Sequence, residues 1–141
     1  MATGTNSEKT QGSLPMKGAE APVKAEGFNH LHLNVRDLRR SVRFYKEAFG
    51  LKVGFSAGPE LIFMVPEVGG HSLALHLVAP DGPIGMAGGF QHFGFKLDVN
   101  DHDRVIKQVE RAGGKLLSRG KHGGRFPYAY VSDPDGYVIE L

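Results

Sequence analysis

Polar and apolar residues alternate along Asn29-His30-Leu31-His32-Leu33-Asn34-Val35, the period of a half-buried strand. The spacing then becomes helical. Leu38, Val42, Tyr45 and Phe49 fall on one stripe, with Asp37 at an N-cap position and Gly50 as the stop. Three short strands are predicted next, over Leu51–Phe55, Glu60–Val65 and Ser72–Val78. The same succession then returns. Gln91-His92-Phe93-Gly94-Phe95-Lys96-Leu97 alternates again. Val105, Val109 and Ala112 form a second helical stripe between a capping Asp101 and Gly113. Strands are predicted over Lys115–Ser118, Arg125–Ser132 and Tyr137–Leu141.

The order strand, helix, three strands thus occurs twice, and an internal repeat takes precedence over any single motif. His30 corresponds to His92, and His76 to Glu140, with offsets of 62 and 64 residues. The predicted fold class is α+β, with two βαβββ modules whose mixed sheets curve into a cup. Module one is expected over 27–78 and module two over 90–141, joined by the Pro/Gly-rich linker 79–89.

Composition sharpens this picture. Residues 1–26 hold no aromatic residue and mix Gly, Ser, Thr, Pro and balanced charge, so a disordered tail is expected before one domain over 27–141. No apolar run is long enough for a secretory signal or a membrane span. The chain has no cysteine, which excludes disulfides, thiolate nucleophiles and cysteine-bound zinc, and a cytoplasmic location is expected. The net charge is +2, with Arg39, Arg40 and Arg43 on one helix, read as a solvated face rather than a nucleic-acid surface. The glycines form no phosphate-binding loop.

Strand parity places the candidate chemistry. Neighbouring side chains on a strand face opposite sides. Leu31, Leu33 and Val35 should pack on the first helix while His30, His32 and Asn34 face away, and His92, Gly94 and Lys96 likewise oppose Phe93, Phe95 and Leu97. His76 opposes Leu75 and Leu77, and Glu140 opposes Ile139 and Leu141. His30, His76, His92 and Glu140 are therefore expected to point into the cup. A carboxylate within an apolar run such as Tyr137–Leu141 requires a partner or a metal ion. His32 is read as cup lining, and Lys96 as a partner for Glu140 or a substrate anion. Asp133-Pro134-Asp135-Gly136 is read as a β-turn without a catalytic role. No role is inferred for His71 or His102.

The C-terminal pattern, with His122, Tyr130 and Glu140 separated by a turn, resembles that of the type I extradiol ring-cleavage dioxygenases, with Ala129 where that family carries a larger apolar residue. These belong to the vicinal oxygen chelate superfamily, with the glyoxalases and the bleomycin-resistance proteins, and the resemblance spans Phe28–Leu141. It implies an Fe(II)-dependent dioxygenase that cleaves a catechol-like substrate with O2. His30, His92 and Glu140 would be the metal ligands in a two-histidine, one-carboxylate triad. His76, His122 and Tyr130 would be catalytic groups for proton transfer and substrate positioning. Three alternatives stay open. A glyoxalase- or epimerase-like lyase or isomerase would use His76 as a fourth ligand around Mn, Ni, Zn or Co, although such enzymes usually place a carboxylate or amide there. A fosfomycin-resistance-type transferase lacks a dedicated cationic cluster here. A metal-free drug-binding protein of the bleomycin-resistance type has no need of the triad. The resemblance also implies a homodimer, in which modules pair or exchange between chains, and a small-molecule substrate.

Overall fold

The computed structural model describes residues 28–141; the tail expected over 1–26 lies outside the described residues. The first module comprises β1 (His30–Val35), α1 (Leu38–Phe49), β2 (Lys52–Ser56), β3 (Leu61–Val65) and β4 (Ser72–Leu77). The second comprises β5 (Phe93–Gly94), a 3-10 turn (Val99–Asp101), α2 (His102–Arg111), β6 (Lys115–His122), β7 (Phe126–Ser132) and β8 (Val138–Glu140). Each module folds its strands into one mixed sheet, ordered β1-β4-β3-β2 in the first and β5-β8-β7-β6 in the second. In both, the opening strand runs parallel to the last, so β1 and β5 are edge strands, each with one open side. The α+β architecture of two βαβββ modules is the one that the repeat predicts.

Each helix packs one face on its own sheet and leaves a charged face exposed. α1 packs against α2, and one apolar core runs from Leu33, Val35 and Leu75 through Phe44, Tyr45, Val105 and Val109 to Val131 and Ile139. Flanked by a sheet and a second helix, α1 buries a wider face than its sequence stripe shows. Ser41, Phe44, Tyr45 and Ala48 are deepest, while Leu38, Val42 and Phe49 are only partly covered. The Asp37 carboxylate accepts from the Arg40 backbone N–H at 2.9 Å, as a capping residue should.

Three local expectations change. The strand expected over 91–97 narrows to Phe93–Gly94, because only the three residues of β8 are available to pair with it. Helix initiation moves upstream of Asp101. Asp98 caps the 3-10 turn through the Asn100 backbone N–H at 2.9 Å, while Asp101 makes no capping bond and pairs with Arg104 instead. β6 runs on to His122 rather than ending at Ser118, because the three-residue loop Gly123-Gly124-Arg125, with the two glycines at φ 56° and 70°, closes a hairpin with β7. Successive left-handed residues match the twist of the flanking strands, and glycine adopts them without a Cβ penalty. Among the described residues no helix is long and apolar enough to cross a membrane.

Candidate functional site

Glu140, at the end of β8, is the centre of a polar cluster on the outer face of the second sheet. His92 Nε2 lies 3.0 Å from one carboxylate oxygen and His122 Nε2 lies 3.3 Å from the other. The strands explain the convergence. Gly94 of β5 pairs with Glu140, which brings the preceding turn of chain and His92 alongside it. Tyr130 of β7 stands directly opposite Glu140 on the other flank. His122 reaches the cluster because the hairpin carries β6 to its full length. The Tyr130 ring lies edge-on to His92 at 5.1 Å. Partial burial and the neighbouring Glu140 carboxylate raise the Tyr130 phenol above its ordinary pKa, so it remains a hydrogen-bond donor at neutral pH.

The first module carries its own imidazole cluster. His32 and His76 are edge-on at 5.4 Å, across the parallel pair β1 and β4. His30 Nδ1 is 2.7 Å from the Asn29 side-chain oxygen, and its ring meets Phe63 edge-on at 5.6 Å. Phe63 in turn stacks on the exposed Phe55 at 4.4 Å. Burial, and then the proximity of His76 and His30, hold the His32 imidazole below its usual pKa.

The structure therefore joins His92, Glu140, His122 and Tyr130 on one sheet and places His30, His32 and His76 on the other. Among the described residues no three His, Asp or Glu side chains come together as an ion-binding group. Surface cavities of about 520 Å³, between α2 and β6–β7, and about 850 Å³, beside α1, are lined by none of His30, His76, His92 and Glu140. Lys96 makes no ion pair with Glu140 among the described residues; His92 and His122 occupy that position. Donor chemistry and spacing suit a metal at His92 and Glu140. Imidazole and carboxylate ligands bond to divalent ions at about 2.0–2.2 Å, which places adjacent ligand atoms roughly 3 Å apart.

Two features escape a reading of the sequence by type alone. Tyr128 stacks on the His122 ring at 4.2 Å, with an interplanar angle of 26°. Strand parity held the signal, since Tyr128 is two residues before Tyr130 and shares its face. The Asp133–Gly136 segment is a turn, closed by the Gly136 N–H donating to the Asp133 carbonyl at 3.1 Å, but its carboxylates also dock onto α1.

Similarity to known proteins agrees with this fold. The chain is 31% identical over 132 residues to a lactoylglutathione lyase of Arabidopsis thaliana, a match that covers 81% of this chain and 43% of that protein. It is 30% identical over 119 residues to the lactoylglutathione lyase of Haemophilus influenzae, covering 79% of this chain and 88% of that enzyme. The chain thus spans less than half the length of the plant relatives it matches. Among solved structures, a glyoxalase-related enzyme from Fulvimarina pelagi superposes with a TM-score of 0.65 at 28% identity, over 82% of this chain and 86% of that one. The fosfomycin resistance protein FosX of Mesorhizobium loti shares the fold, with a TM-score of 0.65 at 24% identity over 84% of this chain and 91% of that one. The family model for the glyoxalase/bleomycin resistance protein/dioxygenase superfamily matches residues 27–141, and the chain belongs to that superfamily of vicinal oxygen chelate proteins.

Proposed function

We propose that this protein is a divalent-metal-dependent lyase or isomerase of the glyoxalase type, acting on a small oxygen-chelating substrate. The observation that carries the reading is the His92–Glu140 pair, two ligand-type side chains 3.0 Å apart on the outer face of a sheet. The 30% identity to a lactoylglutathione lyase over most of that enzyme's length supports the same class. The ligand set is His30, His76, His92 and Glu140, drawn from two copies of the chain. His30 lies on the open edge strand β1, and His92 immediately precedes the open edge strand β5. An unpaired edge is a template for pairing with another chain. A homodimer that sets the first sheet of one copy beside the second sheet of the other would bring these ligands together.

A divalent ion held there supplies Lewis-acid polarisation of a substrate carbonyl or enediolate. The rest falls to the protein. Glu140 and the imidazoles orient the substrate oxygens, His122 moves a proton at its Nε2, and the protonated Tyr130 hydroxyl donates to developing negative charge. Nickel, zinc, manganese and cobalt suit this donor set, as does Fe(II).

The extradiol reading is the second one. It is favoured by His76 being an imidazole where glyoxalase-like lyases usually place a carboxylate or amide, and by the grouping of His122 and Tyr130 about Glu140. Loading the purified chain anaerobically with each metal separates the two. Each form is offered a 2-oxoaldehyde with a thiol, and separately a panel of catechols with oxygen uptake recorded. The proposal expects 2-hydroxyacyl thioester formation without oxygen consumption. Fe(II)-dependent oxygen uptake with a catechol would replace it by the extradiol reading.

A further inference from the structure

Gly120 and Tyr128 are directly paired across the β6–β7 hairpin. A Cβ built on Gly120 would lie 2.7 Å from the Tyr128 hydroxyl oxygen, 2.9 Å from its Cζ and 3.1 Å from its Cε1. Real Cβ atoms do not approach that closely, so the ring occupies the space that a side chain at position 120 would fill. Laid across the neighbouring strand in this way, the ring meets the imidazole two residues further along β6. The result is the near-parallel His122–Tyr128 stack, and the same His122 ring directs Nε2 at Glu140. On its other side Tyr128 leans on Tyr130 at 5.4 Å, which limits its own movement. His122 itself is largely exposed and precedes a two-glycine turn, so little else fixes its χ angles.

We infer that Tyr128 is a positioning residue: seated in the gap left by Gly120, its ring holds the His122 imidazole toward Glu140. The inference rests on the proposed role of His122 beside a metal-bound Glu140. A ring that merely filled the glycine gap would stabilise the hairpin without affecting His122 function. A clamp predicts that filling the gap has the same effect as removing the ring. Tyr128→Phe keeps the stack and should preserve function; Tyr128→Ala removes it. Gly120→Ala leaves Tyr128 in the chain but displaces its ring. The clash is with the far end of a side chain, so the ring moves and the hairpin backbone keeps its course.

The first readout needs neither metal nor substrate. In the metal-free protein, proton NMR of the His122 ring should show upfield ring-current shifts in wild type and Tyr128→Phe, and these shifts should be lost in Tyr128→Ala and Gly120→Ala. The second readout is turnover of the metal-loaded protein. Tyr128→Ala and Gly120→Ala should each lower kcat roughly 10- to 100-fold, the range for residues that orient groups at a metal centre. KM should change little, and neither substitution should lower kcat further in a His122→Ala background. His122 shifts that are unchanged in both variants would overturn the inference whatever the turnover, and so would losses that add to that of His122→Ala. Shifts that move as expected in a protein with no metal-dependent activity would uphold the clamp and overturn the proposed enzyme reading alone.

Discussion

The Tyr45 hydroxyl, on the helix of the first module, donates a 2.9 Å hydrogen bond to Asp133 Oδ2 in the last turn of the second. The other Asp133 oxygen accepts from the backbone N–H groups of Asp135 and Tyr137, both at 2.9 Å. Asp135 completes the junction. Its carboxylate accepts from the Arg40 guanidinium at 2.5 Å, the Ser41 hydroxyl at 3.2 Å and the Arg36 backbone N–H at 3.3 Å. The Tyr137 hydroxyl donates to the Asn34 carbonyl at 2.8 Å, and Arg36 reaches the linker carbonyls of Ala79, Pro80 and Gly82. These bonds lock the turn that leads into β8, and therefore Glu140, onto the first module.

The lock should be measurable as stability. The Asp135 side chain is 1% exposed and its partner Arg40 36%. Asp135→Ala strands donors from Ser41 and Arg36 but leaves Arg40 a route to water, so a loss of about 2–3 kcal/mol is expected. Tyr45→Phe should cost about 1–2 kcal/mol by removing one donor from a buried carboxylate. Urea denaturation checks both; losses within ~0.5 kcal/mol of wild type would mean that the junction contributes little.

Asp133 should make stability pH-dependent. Burial raises its carboxyl above the ordinary value of 3.8, against the opposing hydrogen bonds from Tyr137, Tyr45 and Asp135; the Asp135 charge raises it further. The folded form therefore holds this proton more tightly than the unfolded form. The resulting stabilisation is fully present below 3.8 and is lost as pH rises through the folded pKa. Asp133→Asn lacks this titration. The stability difference between variant and wild type should shift in the variant's favour from about pH 4 to pH 7, measured by denaturation at each pH. A constant difference would contradict the assignment.

His76 and His32 are neighbours with different expected effects. As a proposed ligand, His76 should weaken metal binding when changed to Ala, and His76→Gln should shift metal preference because an amide oxygen replaces an imidazole. His32→Ala, in a position read as lining, should leave stoichiometry intact. Titration calorimetry with zinc and nickel distinguishes them; full affinity in His76→Ala would return His76 to an acid–base or packing role.

Much of this was legible in the sequence. The period of two in β1 and in the run around Glu140 shows which residues face outward, and the repeat matches His30 to His92. Other elements were not legible, for definite reasons. β5 alternates like a full strand, but its length is set by what β8 offers for pairing. Asp101 looks like a cap, but Asp98 reaches a free N–H first. Asp133-Pro134-Asp135-Gly136 encodes a turn locally, and nothing local announces partners 88 and 94 residues away. Strand parity gives the face of each candidate ligand but not how two sheets lie relative to one another. The separation of His30 from the His92–Glu140 pair therefore emerged only with the packing of α1 on α2.

Complementation between two inactive chains tests the central claim, a metal centre shared between copies, most directly. His30→Ala and Glu140→Ala are each purified, shown to be folded and unable to hold metal, then mixed under conditions of subunit exchange. If each centre takes His30 from one copy and Glu140 from the other, a mixed dimer contains one centre with both ligands intact and one with neither. Metal binding and turnover should return, at one ion per mixed dimer. If both ligands come from a single chain, every centre in the mixed dimer lacks one of them, and no metal would be recovered.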